Sequence, residues 1–360
     1  MVHRDLPTMT MRTHGPEVDE SSVTFRLPDP DRRLRGVRLR PELRIPAHLL
    51  AFRRAGSDWV LTTPRPGAQR MEYLLELHHV NGRVETVTDP GNPLRAGGAF
   101  GDKSVVEFPG YRPPAWLDAD VPPGRRRSLA VPAPALRARV DVTLWSPHGL
   151  DDAEPALLLV VNDGPEYDGL AALTRCLAAV VAAGAVPAVR AALLAPGDRD
   201  RWYAANDAYA DTLAGAVIPA LRGAAPATAR IGMGTSLGAL AALHAQRRHP
   251  ALFDGLFLQS GSFFHPRFDA HESGLAHYPG MVRYVAEVLD ADGAPRAVPA
   301  VLVCGAVEEN LDNNRLMTAA LRDQGYDVEL HEVPDAHNFT AWRDGFDPHL
   351  LRLLQRAVLV

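Results

Sequence analysis

The stretch that decides the fold is Ala229-Arg-Ile-Gly-Met-Gly-Thr-Ser-Leu-Gly-Ala-Leu-Ala-Ala-Leu243. A short apolar run enters the pattern G-x-S-x-G, which spans Gly234 to Gly238, and a helix-forming run follows at once. A serine at the tip of a tight strand-to-helix turn projects its hydroxyl away from the sheet, and the backbone on either side passes so closely that glycine is needed there. The pattern therefore predicts a strand, a strained turn carrying Ser236, and a helix.

The start of this helix supplies a second chemical feature. Leu237 offers its backbone N–H at the helix N-terminus, where developing negative charge is favoured. Ser236 is thus a candidate nucleophile and Leu237 a candidate oxyanion donor. A glycine-rich turn with an ordinary serine is the alternative interpretation, so the rest of the chain has to decide.

A carboxylate and a histidine follow the serine in the order that a catalytic triad on this kind of turn requires. The apolar run 299–304 predicts a buried strand, and Glu308 comes just after its end. The alternating run 326–333 predicts another strand, and His337 lies in the loop behind it. His337 could accept the serine proton while a carboxylate orients its ring. The competing orienting acids are Asp312 and Asp335, and the alternative for Glu308 and Glu309 is that they only cap a helix over 311–321.

The rest of the C-terminal part alternates between strand and helix patterns. Apolar runs predict buried strands at 156–161, 189–194 and 255–259, and helix patterns cover 170–183 and 206–221. Strands that alternate with helices form a mostly parallel sheet flanked by helices. The predicted fold class is therefore α/β.

The N-terminal part has a different pattern. Residues 1–20 are polar, and we expect them to be disordered. Residues 21–110 hold short alternating segments separated by Pro, Gly and Asp, which predicts a small all-β domain of the sandwich type. Residues 111–134 are rich in proline and predict a linker, so that the α/β domain occupies residues 135–360.

The sequence resembles the esterase family that includes the enterochelin (siderophore) esterases, in the esterase-D branch of the α/β-hydrolases. The resemblance spans residues 23–354 and is strongest in the C-terminal half. It is carried by blocks of residues at Val161-Asn-Asp-Gly164, Gly234-Thr-Ser-Leu-Gly238, Gln259-Ser-Gly-Ser-Phe263, Cys304-Gly-Ala-Val-Glu-Glu-Asn-Leu311, Asn314-Arg315, Leu321-Arg-Asp-Gln-Gly-Tyr326 and His337-Asn-Phe-Thr-Ala-Trp-Arg343.

The resemblance implies an α/β-hydrolase domain preceded by the β-sandwich. It implies Ser236 as nucleophile, His337 as general base and Glu308, three residues after a strand-end glycine, as the acid. The implied substrate is a siderophore-type ester, with an iron–siderophore complex as one candidate and iron acquisition as the process. Neither a cofactor nor a catalytic metal is implied.

Residues at the ends of two predicted strands are expected to border the substrate. Asp163 and Glu166 follow the strand at 156–161, and by resemblance the segment with Arg201 and Tyr203 lies beside the substrate. A surface loop is the alternative for that segment. Two other features are set aside. Ser260 and Ser262 lack the glycine that stands two residues before a nucleophile of this type. His265, His271 and His277 are six residues apart, which does not place them on one helical face.

Three departures from the family pattern concern the site. Asp335-Ala336 stands where Gly-Gly usually precedes the histidine, and Asn162 stands where an apolar residue is usual. Pro165 follows Gly164, and proline has no N–H to give to an oxyanion. Either Gly164 or Glu166 then supplies the second donor, or the oxyanion hole is impaired.

Composition limits the remaining possibilities. The chain has 360 residues and a formal charge of −5, which argues against a nucleic-acid-binding protein. Its two cysteines define no disulfide framework, no apolar run reaches the 18 residues of a membrane span, and the N-terminus lacks the apolar core of a secretory signal. We expect a cytoplasmic enzyme that binds a small-molecule ester, with no membrane or nucleic-acid partner; the oligomeric state stays open.

Two other functions are compatible with the same residues. Acyl transfer, or hydrolysis of an aryl or feruloyl ester, would use the same triad, because acceptor and substrate choice are not written in the motif. A catalytically weak ligand-binding relative is the alternative from a different class, favoured by Pro165 and Asp335.

Overall fold

The computed structural model describes residues 15–357, which divide between Tyr111 and Arg112 into two compact units. Residues 1–14, most of the stretch predicted to be disordered, lie outside the described residues. Inside that stretch, Glu17–Val18 forms a short strand, because it pairs antiparallel with Thr24 and Val23. Order therefore begins before the predicted boundary at residue 21.

The described part of the first unit consists mainly of antiparallel strands in two sheets. The first sheet has the order β1-β2-β5-β4, and the second has the order β3-β6-β9-β8 with β7 paired to β6. The strands are β1 (Glu17–Val18), β2 (Ser22–Pro28), β3 (Leu34–Pro41), β4 (Arg53–Ala55), β5 (Asp58–Pro64), β6 (Arg70–His79), β7 (Val84–Val87), β8 (Arg95–Ala96) and β9 (Lys103–Glu107). A short 3₁₀ helix spans Ala47–Leu49.

Alternation of side chains explains how these two sheets meet. Val23, Phe25 and Leu27 of β2 are buried while their neighbours are more exposed, as expected for a strand with one covered face. The ring of Phe25 packs edge-on against Tyr73 of β6, with 5.0 Å between ring centroids. Side chains from both sheets thus share one apolar core.

The second unit is built on one eight-stranded sheet with the order β10-β11-β13-β12-β14-β15-β16-β17. The β10–β11 and β11–β13 pairs are antiparallel and the other pairs are parallel. The strands are β10 (Arg125–Ala133), β11 (Ala138–Ser146), β12 (Ala156–Val161), β13 (Val189–Leu194), β14 (Ala227–Thr235), β15 (Gly255–Gln259), β16 (Ala300–Gly305) and β17 (Val328–Val333).

Helices cover both faces of this sheet. One face packs against α4 to α8 and the other against α1, α2, α9 and α10. The helices are α1 (Gly164–Ala171), α2 (Leu173–Ala182), α3 (Arg199–Trp202), α4 (Asp207–Thr212), α5 (Ile218–Ala224), α6 (Leu237–Arg248), α7 (Tyr278–Leu289), α8 (Leu311–Asp323), α9 (Phe339–Asp344) and α10 (Leu351–Arg356). Short 3₁₀ helices span Ala115–Asp118, Pro134–Leu136 and Ala270–Gly274, and π-helical turns span Leu213–Val217 and Phe346–Leu350. The predicted α/β architecture is present.

Two segments differ from the sequence prediction. The predicted linker 111–134 contains β10, which lies at the edge of the sheet, where a proline such as Pro132 is tolerated. The predicted helix 170–183 is interrupted at Ala172, which adopts a left-handed conformation with φ 53° and separates α1 from α2. Within residues 15–357 no helix combines the length and apolar character needed to cross a bilayer.

Candidate active site

Ser236 sits on the strained turn that the sequence predicts. Its backbone has φ 54° and ψ −124°, between the end of β14 and the start of α6. A Cβ added to Gly234 would lie 2.2 Å from the carbonyl oxygen of Gly238, and one added to Gly238 would lie 3.1 Å from Oδ2 of Asp163. Backbone segments therefore approach so closely that the glycine on the strand side is required.

The serine hydroxyl meets another hydroxyl. Oγ of Ser236 lies 3.1 Å from Oγ of Ser262, and the Ser262 backbone N–H donates to the Ser236 carbonyl at 3.1 Å. The Ser236 N–H donates to the Gln259 carbonyl at 3.0 Å. Ser262, considered from sequence only as a rival nucleophile, thus contacts the predicted nucleophile directly.

His337 and Glu308 form a hydrogen-bonded pair. Nδ1 of His337 lies 3.0 Å from Oε2 of Glu308, whose side chain is 1% exposed. Oε1 of Glu308 accepts the Cys304 thiol at 2.5 Å and the Gly305 N–H at 3.1 Å. Burial raises the pKa of Glu308, but the nearby His337 and the hydrogen bonds to His337, Cys304 and Ser260 outweigh it, so the pKa is lowered overall. The carboxylate stays ionised beside the histidine.

The competing acids have contacts elsewhere. Oε2 of Glu309 lies 3.1 Å from Nε2 of His271, Asp312 pairs with Arg315 at 3.3 Å, and Asp335 accepts the N–H of Ala336 at 2.7 Å. Glu308 is the acid that the structure places against Nδ1 of His337. Its assignment as the orienting acid remains a prediction that this geometry supports.

Trp342 explains the spacing of the block His337-Asn-Phe-Thr-Ala-Trp342. The side chain of Asn338 accepts the Ala341 N–H at 2.8 Å and so caps α9. The first turn of that helix brings the Trp342 ring edge-on to His337, with 5.0 Å between centroids. Its indole N–H donates to Oγ of Ser260 at 2.9 Å. The helix thus places the Trp342 ring against the histidine, which lies just before the helix cap.

Two buried asparagines hold the loop after β15. Asn310 donates to the Ser260 carbonyl at 3.1 Å and lies 3.5 Å from Nδ1 of His337. Asn314 bonds Gly261 twice, accepting its N–H at 3.1 Å and donating to its carbonyl at 2.8 Å. Sequence reasoning gave Asn310 no role. Asn310 is the residue just before α8, a position where asparagine is common, so its residue type alone did not point to these contacts.

The backbone donors at the predicted oxyanion position are unequal. Neither Leu237 nor Gly164 has an acceptor for its N–H among residues 15–357. Pro165 has no N–H. Burial is the main cause that raises the pKa of the Glu166 carboxyl group. Gly164 and Glu166 are therefore both candidates for the second donor at this turn.

The residues predicted to border the substrate divide into two groups. Asp163 is buried and receives two hydrogen bonds of 2.8 Å from Arg199, while its N–H donates to the hydroxyl of buried Tyr203 at 3.1 Å. Arg201 is 44% exposed and bonds the Leu136 carbonyl at 3.3 Å, so it lies apart from this cluster. Arg199, which sequence reasoning did not select, takes the place beside Asp163.

Asn162 has a local structural reason to be polar. Its amide donates to the Gly238 carbonyl at 2.8 Å, and its oxygen accepts the Tyr209 hydroxyl at 2.6 Å. It therefore ties the end of β12 to the first turn of α6. An apolar side chain would leave both of these buried groups unsatisfied.

One group of residues in the described part of the chain has metal-ligating character. Ligand atoms of His271, Glu272 and Glu309 lie within 4.8 Å of one another, near the surface. His265 and His277 are not part of it. The expected absence of a metal therefore stays a prediction.

The class of fold follows from these features. A mostly parallel sheet carries helices on both faces, a serine occupies a strained strand-to-helix turn, and a His–Glu pair follows later strands. This is an α/β fold of the type on which hydrolytic triads are built.

The particular fold is that of the enterobactin esterases. The enterobactin esterase FES of Shigella flexneri, solved in the presence of enterobactin, aligns with a TM-score of 0.75 at 19% identity over 96% of each chain. The ferric enterobactin esterase of Salmonella typhimurium aligns with a TM-score of 0.74 at 18% identity, over 97% of this chain and 98% of that one. A ferulic acid esterase aligns with a TM-score of 0.54 at 16% identity, over 65% of this chain and 99% of that one. No protein-family model and no curated protein matches the sequence.

Proposed function

We propose that the protein is a serine esterase that cleaves carboxylic esters through an acyl-enzyme. The observation that carries the proposal is the combination of Ser236 on its strained turn with the hydrogen bond between His337 and the buried Glu308. The shared fold with enterobactin esterases supports a hydrolytic role for this combination.

Each residue has one task in the proposed reaction. Ser236 attacks the ester carbonyl, and His337 takes its proton at Nε2 and later gives it to the leaving alcohol. Glu308 holds the proton on Nδ1 and stabilises the imidazolium that forms. Water then attacks the acyl-enzyme with the same histidine as base, which releases the acid and restores Ser236.

The oxyanion is assigned to two backbone donors. Leu237 is assigned one at the start of α6, and Gly164 is assigned the other at the start of α1, since Pro165 has no N–H. Two donors aimed at a developing oxyanion contribute a large share of the rate in such enzymes.

The substrate class proposed is a siderophore-type ester. Its support is the likeness over nearly the full length of this chain to proteins solved with enterobactin and with its dihydroxybenzoyl-serine fragment. Iron would enter the site as part of the substrate, and the reaction would take place in the cytoplasm. Asp163, with Arg199 bound to it, and Glu166 are the polar groups proposed to border the substrate. The hydroxyl of Tyr203 accepts the backbone N–H of Asp163 and so helps to hold it in place.

A second candidate is an esterase for aryl esters of the feruloyl type. The observation that favours it is the shared fold with a ferulic acid esterase. Catecholate trilactones and feruloyl esters are both carboxylic esters whose acyl part carries an aromatic ring, so both would use the same triad. A screen with a catecholate trilactone and with methyl ferulate separates them by kcat/KM.

The test of the proposal is serine-dependent turnover. Hydrolysis of p-nitrophenyl acetate and butyrate is measured for the wild type and for Ser236→Ala, and intact mass reports labelling by a fluorophosphonate. We expect one adduct on the wild type and none on Ser236→Ala, with turnover reduced by about 10³-fold or more in the variant. A wild type without turnover and without adduct would instead support a ligand-binding protein.

A further inference from the structure

Ser262 presents a buried hydroxyl to the proposed nucleophile. The residue is 2% exposed, and its Oγ lies 3.1 Å from Oγ of Ser236. Ser236 Oγ is the one hydrogen-bond partner recorded for that hydroxyl among the described residues. Inside a protein the effective dielectric constant is low, so a hydrogen bond from a buried hydroxyl is electrostatically stronger than the same bond in water.

The backbone holds Ser262 in this position. Its N–H donates to the Ser236 carbonyl at 3.1 Å, and both polar backbone groups of the preceding Gly261 are bound by the Asn314 side chain. A Cβ on Gly261 would lie 2.3 Å from the Phe263 ring, so the loop path is also fixed by packing. The Ser262 hydroxyl is thus presented by a rigid segment.

Counting protons assigns the direction of the hydroxyl–hydroxyl bond. Each serine hydroxyl has one proton to donate. In the proposed reaction the Ser236 proton goes to Nε2 of His337 while the Nδ1 proton faces Glu308. Once the Ser236 proton is directed at the histidine, the bond between the two serines can be made only by the Ser262 proton.

We propose that Ser262 is a catalytic residue that donates a hydrogen bond to Oγ of Ser236 as that oxygen loses its proton. The inference rests on the proposed function. In the attack, the bond from Ser236 Oγ to the carbonyl carbon forms, the carbonyl π bond breaks to an oxyanion, and the Ser236 proton moves to His337. The Ser262 proton stays on Ser262 throughout, and its hydrogen bond stabilises the negative charge that develops on Oγ.

The test compares two buried hydroxyl deletions. Ser262→Ala removes the donor, and Thr212→Val removes a buried hydroxyl that bonds the Ala208 carbonyl at 2.7 Å in α4. The readouts are the second-order rate of fluorophosphonate labelling at Ser236, kcat for p-nitrophenyl butyrate, and the thermal unfolding midpoint. We expect labelling and kcat to fall about 10- to 100-fold in Ser262→Ala, the loss typical of a hydrogen bond to a charged group. Thr212→Val is expected to keep both rates.

The outcomes separate the two proposals. A labelled wild type with Ser262→Ala reacting at the wild-type rate overturns the role of Ser262 and leaves the nucleophile in place. A wild type that is never labelled at Ser236 overturns both. If Ser262→Ala does not fold, Ser262→Cys provides the test, because a thiol is a weak donor and is expected to slow labelling as well.

Discussion

The thiol sulfur of Cys304 lies 2.5 Å from Oε1 of Glu308, beneath the His337–Glu308 pair. Burial and the negative charge of Glu308 both raise the pKa of this thiol, so it stays protonated and acts as a donor to the carboxylate. The Gly305 N–H donates to the same oxygen at 3.1 Å. Cys304 therefore holds Oε1 of Glu308, while the other carboxylate oxygen, Oε2, faces the histidine.

The first prediction concerns this thiol. Cys304→Ala removes one of the donors to a buried carboxylate, and we expect kcat for p-nitrophenyl butyrate to fall about 3- to 10-fold. Cys304→Ser keeps a donor at the same position and should retain most of the activity. Equal kcat for Cys304→Ala and the wild type would contradict the positioning role.

A second prediction tests the choice of acid. Glu308→Gln leaves a side chain of the same size but removes the charge that stabilises the imidazolium, so we expect kcat to fall by about 10²- to 10⁴-fold. Glu309→Gln is the matched control one residue along, where the carboxylate instead lies beside the exposed His271. Its rate should stay close to that of the wild type. The assignment of the acid would be reversed if Glu309→Gln lost the larger share of the activity.

The third prediction addresses the oxyanion hole. Pro165→Ala adds an N–H in the first turn of α1. If Gly164 already supplies the second donor, this addition changes kcat/KM by less than about twofold, whereas repairing a missing donor would raise the rate by about 10²- to 10³-fold. Steady-state kinetics with p-nitrophenyl acetate distinguish the two cases, and a large gain would show that the native hole lacks a donor.

A fourth prediction follows from His349, which stacks on His331 with 3.9 Å between ring centroids. Burial, together with the positive charge of His331 and Arg352, lowers the pKa of His349 from 6.5 to about 4. Between these values the unfolded chain binds a proton that the folded protein does not. The contribution of His349 to the free energy of unfolding is therefore fully present above pH 6.5 and is lost as the pH drops towards 4.

Urea unfolding of the wild type and of His349→Gln tests this pH dependence of the free energy of unfolding. The variant has no titrating group at this position, so we expect its stability to fall less than that of the wild type between pH about 7.5 and about 5. His148→Gln, at an exposed position, is the control and should behave as the wild type. An identical loss in the wild type and in His349→Gln would rule out His349 as a source of acid sensitivity.

The sequence was most informative where sterics leave few options. The turn at Ser236 could be predicted because the close approach at Gly234 admits no side chain, and a strand that ends in glycine places Glu308 at the same edge of the sheet. Contacts made by polar side chains were harder to predict. The bonds of Asn162 depend on Gly238 and Tyr209, which are brought next to it only by folding.

Two segments show why the rest could not be predicted. Arg199 and Arg201 are two residues apart on α3, so their side chains leave the helix in different directions. The resemblance of the whole segment to a family does not tell which of the two arginines lies beside Asp163. The prolines around β10 predict a linker from the sequence. The segment forms a strand because it pairs with β11, and this pairing is not visible in the sequence of β10 alone. In both cases the deciding information is three-dimensional.

The burial of both cysteines has a practical consequence. Cys176 and Cys304, the two cysteines of the chain, are fully covered, so maleimide reagents find no reactive thiol on the native surface. A cysteine introduced at Leu275, which is 39% exposed, would be the single labelling position. Dyes or spin labels could therefore follow the segment between β15 and α7 during turnover, in a protein that keeps its full native sequence elsewhere.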